Sequence, residues 1–268
     1  MKKISVITLH RVPNYGSVLQ TYATQEVFRS MGFDPEIVDY WPKRFQVDHR
    51  VDDLYGRFRF RYKNPLVKAL FRFLINRSLR RQDEVFGGFL SRRVKLSRPY
   101  LSIDALSSDP PGADIYCTGS DQVWNSGTNG FVEGPFYLDF APAGKPRIAF
   151  SASFGRPGLP GEEMDEIRPR LRGYAGIGVR ESSGLSILKD LGVRDCACTL
   201  DPTLALPPDK WRELAAGGAV AGLPERYILI YQFNKDPLID DIADLLAAET
   251  GFKVVKIFFF RHGKARPT

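Results

Sequence analysis

The sequence has few cysteines and no long apolar run, and each scarcity excludes a class of protein. Its three cysteines, Cys117, Cys196 and Cys198, are an odd number without zinc-ligand spacing, which argues against a disulfide framework or a structural zinc site. No apolar run approaches the roughly 20 residues of a membrane-spanning helix. The apolar start after Lys2 and Lys3 is too short for a signal peptide. We therefore expect a cytoplasmic protein with reduced thiols.

Positive charge is concentrated in one segment of the chain. The formal net charge is +7, yet residues 41–100 contain sixteen Lys and Arg against five Asp and Glu, a local charge of +11. A field of this size attracts phosphates, anionic lipid or nucleic acid. Phenylalanines are interleaved with these bases at Phe58, Phe60, Phe71, Phe73, Phe86 and Phe89.

This basic segment has two interpretations. In the first, a helix presses an apolar face into a membrane interface and keeps its arginines at the level of the headgroups, giving peripheral membrane contact through residues 43–98. In the second, the segment is an insertion packed on its own domain, because Leu66, Leu70, Phe73 and Leu74 also fit a core-facing stripe. No recognised nucleic-acid-binding motif accompanies the charge, so we expect no nucleic-acid partner.

Short hydrophobic strands alternate with helices along the chain, which is typical of an α/β doubly wound parallel sheet. The first unit is a strand over 3–9, a helix over 18–31 that ends at Gly32, and a strand over 36–39. We predict a Rossmann-like first domain over residues 1–206, with the basic insertion at about 43–98. A linker over 207–225 rich in Pro and Gly follows. The remaining residues, 226–268, predict a truncated second α/β domain of strand, helix and strand.

Polar loops follow five of the predicted strands. In an open parallel sheet the ligand lies outside the carboxyl ends of the strands, so we expect these loops to form one binding site. The residues predicted to bind substrate are Asn14, Tyr15, Gly16, Ser17, Gly119, Ser120, Asp121, Gln122, Asn125, Ser151, Ser153, Gly155, Arg180, Glu181 and Asp201. His10, near the end of the first strand, is the candidate catalytic acid or base. No metal site is expected.

Each loop also has an ordinary structural explanation. Gly16 and Ser17 fit a turn with a serine N-cap, and the missing second and third glycines exclude the dinucleotide-binding fingerprint. The pair Arg180–Glu181 could be a structural ion pair. Asp201 before a proline is a common turn signal. Trp124 is better explained by core packing than by stacking on a sugar.

Three motifs in this order resemble the polysaccharide pyruvyl transferase family. They are Asn14-Tyr15-Gly16-Ser17-Val18-Leu19-Gln20, Gly119-Ser120-Asp121-Gln122-Val123-Trp124-Asn125 and Leu200-Asp201-Pro202-Thr203-Leu204. The resemblance covers residues 4 to about 211 and rests on the ordered set. It implies a two-domain architecture with a glycosyltransferase-B-like first domain. It also implies transfer of pyruvate from phosphoenolpyruvate, as donor substrate, to two sugar hydroxyls. The product is a ketal, and no metal or cofactor is implied. The acceptor would be a sugar of a cell-surface polysaccharide or of its lipid-linked oligosaccharide precursor.

The resemblance also implies a catalytic histidine from the second domain, in an Arg-x-His or Ser-Phe-His-Gly type segment. Arg261-His262-Gly263 comes too early for that position, directly after the second strand of the second domain. We therefore expect a pyruvyl-transferase-like protein that is impaired as a 268-residue chain. A nucleotide-sugar glycosyltransferase and a non-catalytic module that binds a glycan or membrane surface stay open as alternatives, as does the oligomeric state.

Overall fold

The computed structural model describes residues 1–58, 64–218, 220, 222–232 and 236–257. The chain divides into two compact units, residues 1–208 and 209–268. The strands of the first unit are β1 (Lys3–Ile7), β2 (Asp34–Tyr40), β3 (Leu96–Tyr100), β4 (Ile115–Thr118), β5 (Arg147–Ala152), β6 (Gly176–Val179) and β7 (Cys196–Cys198). Its helices are α1 (Tyr15–Ser30), α2 (Val47–Phe58), α3 (Pro65–Arg93), α4 (Ile103–Ser108), α5 (Ser126–Asn129), α6 (Gly161–Leu171), α7 (Ser182–Asp190) and α8 (Pro202–Ala205).

The strands of the first unit form one parallel sheet in the order β3-β2-β1-β4-β5-β6-β7. The chain runs outward from β1 to β3, crosses back to β4 beside β1, and then runs outward in the other direction. This reversal places a crevice at the carboxyl ends of β1 and β4, where ligands bind in such sheets. The doubly wound, Rossmann-like fold predicted from the sequence is confirmed.

The basic segment contains more of the sheet than the sequence suggested. Its last residues form β3, which pairs with β2 at the edge of the sheet. Pro99 suits an edge strand because proline cannot donate a ladder hydrogen bond, and it hid the strand from the sequence pattern. The rest of the segment is mainly α2 packed along α3.

The N-terminal half of α3 does not face the core. Leu66, Leu70, Phe73 and Leu74 are between 53% and 78% exposed, so the prediction that they form a core-facing stripe is wrong. The buried leucines Leu79 and Leu90 lie in the second half of the helix. No helix in the described ranges is long and apolar enough to cross a membrane.

Aromatic residues form the core beneath the loop that follows β4. Trp124 is 1% exposed and stacks on Tyr137 with ring centroids 5.7 Å apart. Its indole Nε1 donates a hydrogen bond to the Phe136 carbonyl at 2.9 Å. A buried indole needs such a partner. The core-packing interpretation of Trp124 is therefore confirmed. The buried tryptophan anchors the loop after β4 on the core.

The second unit contains α9 (Pro208–Ala216, which begins at the boundary), β8 (Tyr227–Tyr231), α10 (Pro237–Thr250) and β9 (Lys253–Ile257). Strands β8 and β9 are parallel, and α10 ends at Gly251 with φ of 72°, which glycine adopts without strain. Residues 208–216 of the predicted linker are helical because a proline at the first turn and the pair Arg212–Asp209 favour a helix. Arg261-His262-Gly263 lies outside the described residues.

Candidate functional site

A polar cavity of about 180 Å³ lies at the carboxyl ends of β1, β4, β6 and β7. The residues that line it are Asn14, Gly16, Ser17, Gln20, Asp121, Arg180, Asp201 and Thr203. Six of these eight belong to the set predicted from the strand-end rule, and loops far apart in the chain meet here. Within the described residues, no three His, Cys, Asp or Glu side chains are grouped so as to hold a metal ion.

The start of α1 forms one wall of the cavity. Asn14 is the N-cap, with an extended backbone and a side-chain Oδ1 that accepts the Gly16 N–H at 2.7 Å. The prediction that Ser17 caps the helix is wrong, because Ser17 already lies within the helical turn and a cap residue needs a non-helical backbone. Instead, the Ser17 hydroxyl donates to Asp121 Oδ2 at 2.9 Å. This bond joins the loop after β1 to the loop after β4.

Asp121 holds a strained backbone at the end of β4. Its φ of 84° lies in the left-handed region, which non-glycine residues rarely occupy and which is often found at functional sites. The carbonyl of Asp121 accepts the Ser153 N–H at 3.0 Å, and its Oδ1 accepts the Gln122 N–H at 2.8 Å. These bonds keep the Asp121 carboxylate at the cavity wall.

Arg180 and Asp201 form an ion pair that also lines the cavity. The Arg180 guanidinium donates to Asp201 Oδ2 at 3.0 Å, and Glu181 lies 3.9 Å from Arg180 Nε. Thr203 donates its backbone N–H and its hydroxyl to Asp201 Oδ1. Burial raises the pKa of Asp201, but the hydrogen bonds from Thr203 and Arg180 outweigh it and hold the pKa below its usual value. The charge of Arg180 is therefore balanced within the site.

Three of the predicted serines hold the strand-end loops together and do not line the cavity. Ser120, fully buried, contacts Asp201 Oδ2 at 3.4 Å. Ser153 donates to Glu181 Oε1 at 2.7 Å, and Ser151 donates to the carbonyl of Leu200 at 2.6 Å. These bonds link the loops after β4, β5, β6 and β7. Their role is to support the residues that face the cavity.

Gly119, Gln122, Asn125 and Gly155, which were also predicted to bind substrate, make contacts that shape the loops themselves. A Cβ on Gly119 would lie 3.0 Å from Val6 Cγ1, so a larger residue would force β1 to give way by a few tenths of an ångström. Gln122 Oε1 accepts a hydrogen bond from Asn125 Nδ2 at 2.9 Å, and Asn125 caps α5. Gly155 has φ of 62°, and a Cβ there would meet the Asn125 amide at 2.6 Å. This group shapes the loop that carries Asp121.

His10 lies outside the polar cavity, buried against β2. Its Nδ1 is 3.1 Å from the Thr8 carbonyl and its Nε2 is 3.0 Å from Asp39 Oδ1. Both partners present acceptor oxygens to the ring. Arg11 also donates to Asp39, and His10 and Arg11 line a separate cavity of about 60 Å³. Tyr15 is 40% exposed and does not line the polar cavity. Substrate contact by Tyr15 and catalysis by His10 stay predictions.

Two residues of the cavity wall, Gln20 and Thr203, were absent from the predicted set. Gln20 follows Gly16 by one helical turn, and residues four apart in a helix share a face. Thr203 follows Asp201 by two residues, a spacing at which an aspartate accepts the backbone N–H. Both signals were visible in the sequence, inside the motifs that carry the family resemblance.

Comparison with known proteins gives one match. Residues 14–267 match the family model described as Polysaccharide pyruvyl transferase. No curated protein and no solved structure matches the chain. The matched region includes the three motifs 14–20, 119–125 and 200–204 and extends through the second unit. Because the match covers nearly the whole sequence, the chain belongs to the polysaccharide pyruvyl transferase family.

Proposed function

We propose that this protein transfers pyruvate from phosphoenolpyruvate to two hydroxyls of one sugar, in a cell-surface polysaccharide or its lipid-linked precursor. The observation that carries the proposal is the convergence of the family motifs on one cavity. Gln20, Asp121 and Asp201 come from three different motifs and line the same 180 Å³ space. The space lies at the sheet position where doubly wound folds bind ligands.

The reaction defines what the site must supply. Carbon 2 of phosphoenolpyruvate forms bonds to two sugar oxygens, and its bond to the phosphate oxygen breaks. The methylene carbon takes up one of the two hydroxyl protons and becomes a methyl group, while the other proton leaves with the phosphate. The protein must therefore accept a hydroxyl proton and deliver a proton to carbon. No resident metal or cofactor takes part in this proposal.

The experiment is a transfer assay on the full chain with phosphoenolpyruvate and a panel of galactose- and mannose-type acceptors, free and lipid-linked. We expect phosphate release that depends on the acceptor, and a product heavier than the acceptor by pyruvate less one water. Asp121→Asn is expected to lower turnover about 10²-fold or more, since one positioned acid or base group contributes roughly 10² to 10⁴ in rate. Asp114→Asn, at the opposite end of β4 and exposed, is the matched control.

Other outcomes of the assay would overturn the proposal. Turnover of a nucleotide sugar without phosphoenolpyruvate would identify a glycosyltransferase, and glycan binding without any turnover would identify a non-catalytic module. The same assay tests His10. A His10→Ala variant that stays folded and loses turnover would give His10 a catalytic role, and one that keeps turnover would make it structural.

We also propose a cytoplasmic protein with peripheral contact to an anionic membrane through the first half of α3. Five apolar side chains of this half, Leu66, Val67, Leu70, Phe73 and Leu74, are 40% to 78% exposed. Their spacing puts them along one face of the helix. That face continues into the exposed Arg77 and Arg81. Apolar side chains beside arginines match a bilayer surface that carries negative headgroups.

Vesicle sedimentation tests the membrane proposal. The full chain should sediment with vesicles that contain phosphatidylglycerol, less with neutral vesicles, and less as salt rises, because salt screens the attraction. Phe73→Asp should weaken binding, whereas Leu101→Asp, exposed elsewhere in the same unit, should not. Equal binding of both variants, or no binding to anionic vesicles, would refute the membrane contact.

A further inference from the structure

The orientation of the Gln20 side-chain amide is fixed by two threonine hydroxyls. The Thr8 hydroxyl donates its hydrogen to the Ser120 carbonyl, and the Thr21 hydroxyl donates to the Ser17 carbonyl, both at 2.7 Å. Each hydroxyl has one hydrogen, so each can only accept from Gln20. The Gln20 atom that lies 2.9 Å from the Thr8 hydroxyl and 3.1 Å from the Thr21 hydroxyl must therefore be the Nε2 donor. The other terminal atom of the amide is the oxygen.

That oxygen is a buried acceptor on a side chain that belongs to the cavity lining. Gln20 is 3% exposed and lines the cavity. Its Oε1 has no hydrogen-bond partner in the part of the chain that the structure describes. A buried acceptor without a donor is unfavourable, and such groups in native proteins call for an explanation. A ligand that donates a hydrogen bond supplies one.

The carboxylates of Asp121 and Asp201, which also line the cavity, likewise favour a ligand that donates hydrogen bonds. Each Asp121 oxygen accepts one hydrogen bond, which leaves lone pairs open on Asp121. Asp201 is occupied by Thr203, Arg180 and Ser120. Two carboxylates against one guanidinium give the cavity a net negative charge. The N-terminus of α1 contributes only about half a positive charge, so the balance disfavours a phosphate or a carboxylate ligand.

We infer that this cavity binds the hydroxyls of the acceptor sugar and does not bind the phosphoenolpyruvate donor. Gln20 Oε1 accepts a hydrogen bond from one hydroxyl and Asp121 accepts one from a second. Ketal formation needs two hydroxyls held together, and these two acceptors supply that arrangement. The inference rests on the proposed function.

Binding measured by ligand-observed NMR on the full chain tests the inference. The probes are methyl β-galactopyranoside, methyl α-mannopyranoside, phosphoenolpyruvate and inorganic phosphate. Gln20→Met should weaken the affinity for whichever sugar binds by about three- to tenfold, which is the contribution of one hydrogen bond. The affinity for phosphoenolpyruvate should not change. Thr24→Val, one turn further along α1 and fully buried, is the control and should bind sugar as the wild type does.

The wild-type protein gives a second test that does not depend on a variant folding. The monodeoxy and monodeoxyfluoro analogues of the bound sugar should lose affinity at the same position, because fluorine cannot donate to Gln20. Retained binding of every fluoro analogue, or loss of phosphoenolpyruvate instead of sugar in Gln20→Met, would overturn the inference. Sugar binding that depends on Gln20 without any turnover would support the inference and refute the proposed function. Turnover by Gln20→Met with an unchanged KM for the acceptor sugar would support the proposed function and refute the inference.

Discussion

Asp39 is a buried carboxylate that binds the side chains of His10 and Arg11, and its replacement by Asn should destabilise the first unit strongly. Its side chain is 5% exposed and accepts hydrogen bonds from His10 Nε2 at 3.0 Å and from Arg11 Nε at 2.7 Å. Burial raises the pKa of Asp39, but the bonds from His10 and Arg11 outweigh it and lower the pKa from 3.8 to about 2. Asn carries no charge to balance Arg11 and has only one acceptor oxygen.

Two routes to the magnitude agree. A pKa lowered by about two units corresponds to about 2.5 kcal/mol of folding free energy, at about 1.4 kcal/mol per unit. Removing one partner of a buried ion pair costs roughly 3 to 5 kcal/mol, and Arg11 is 18% exposed, which favours the lower end. We expect Asp39→Asn to lose about 3 kcal/mol at neutral pH.

The sign of the pH dependence follows from the direction of the shift. Because the folded-state pKa lies below the unfolded one, the contribution of Asp39 is complete above about pH 5 and is lost as pH falls from about 4 towards 2. Urea unfolding of wild type and Asp39→Asn, followed by tryptophan fluorescence, should give a difference that shrinks over this range. Trp41, whose ring lies 4.7 Å from the Arg11 guanidinium, reports on the site.

Asp34→Asn is the matched control for Asp39→Asn. Asp34 lies on the same strand, β2, but its ion pair with Lys95 is 40% exposed on both sides. Water and salt screen such pairs, so this variant should differ little from wild type. A loss at Asp39 no larger than at Asp34, or one that stays constant down to about pH 3, would refute the reasoning from burial and charge.

Three further variants or reagents test the packing. Gly119→Ala should cost about 1–3 kcal/mol because the new methyl overlaps β1, while Gly112→Ala, with open space around it, should be neutral in the same urea titration. A thiol reagent should modify the exposed Cys198 in the native protein and reach Cys117 only after unfolding, since burial raises the pKa of the Cys117 thiol; native labelling of both would contradict the burial. Gln25→Leu should speed hydrogen exchange in β3, because the Gln25 amide bonds the backbone that joins α3 to β3; unchanged exchange would show that this join needs no side chain.

Much of the fold and of the cavity could be predicted from the sequence, because strand and loop order carry the information. Parallel strands end at one edge, so Asn14, Asp121 and Asp201 could be assigned to one site without coordinates. The rule does not say which way a side chain points once the strand has ended. His10 turns towards Asp39 on β2, and nothing local in the sequence indicates that partner.

The apolar stripe on α3 shows a second limit. Leu66, Leu70 and Phe73 have the spacing of a core face, yet they are exposed. Periodicity identifies that a helix has an apolar side, but not what covers that side. Burial depends on whether another element reaches the face, which is a property of the whole fold.

The hydrogen bonds between Ser120 and Asp201 and between Arg180 and Asp201 also bear on how the protein is made. A ribosome releases the wall residue Asn14 early, but Asp201 emerges only after β7 has been synthesised. Until then β6 pairs only with β5, and its open edge can pair wrongly with other chains. Substrate binding and protection of this edge are thus expected to appear together, late in translation. Acceptor sugar added to nascent chains should slow their proteolysis only after Thr203 has left the ribosome.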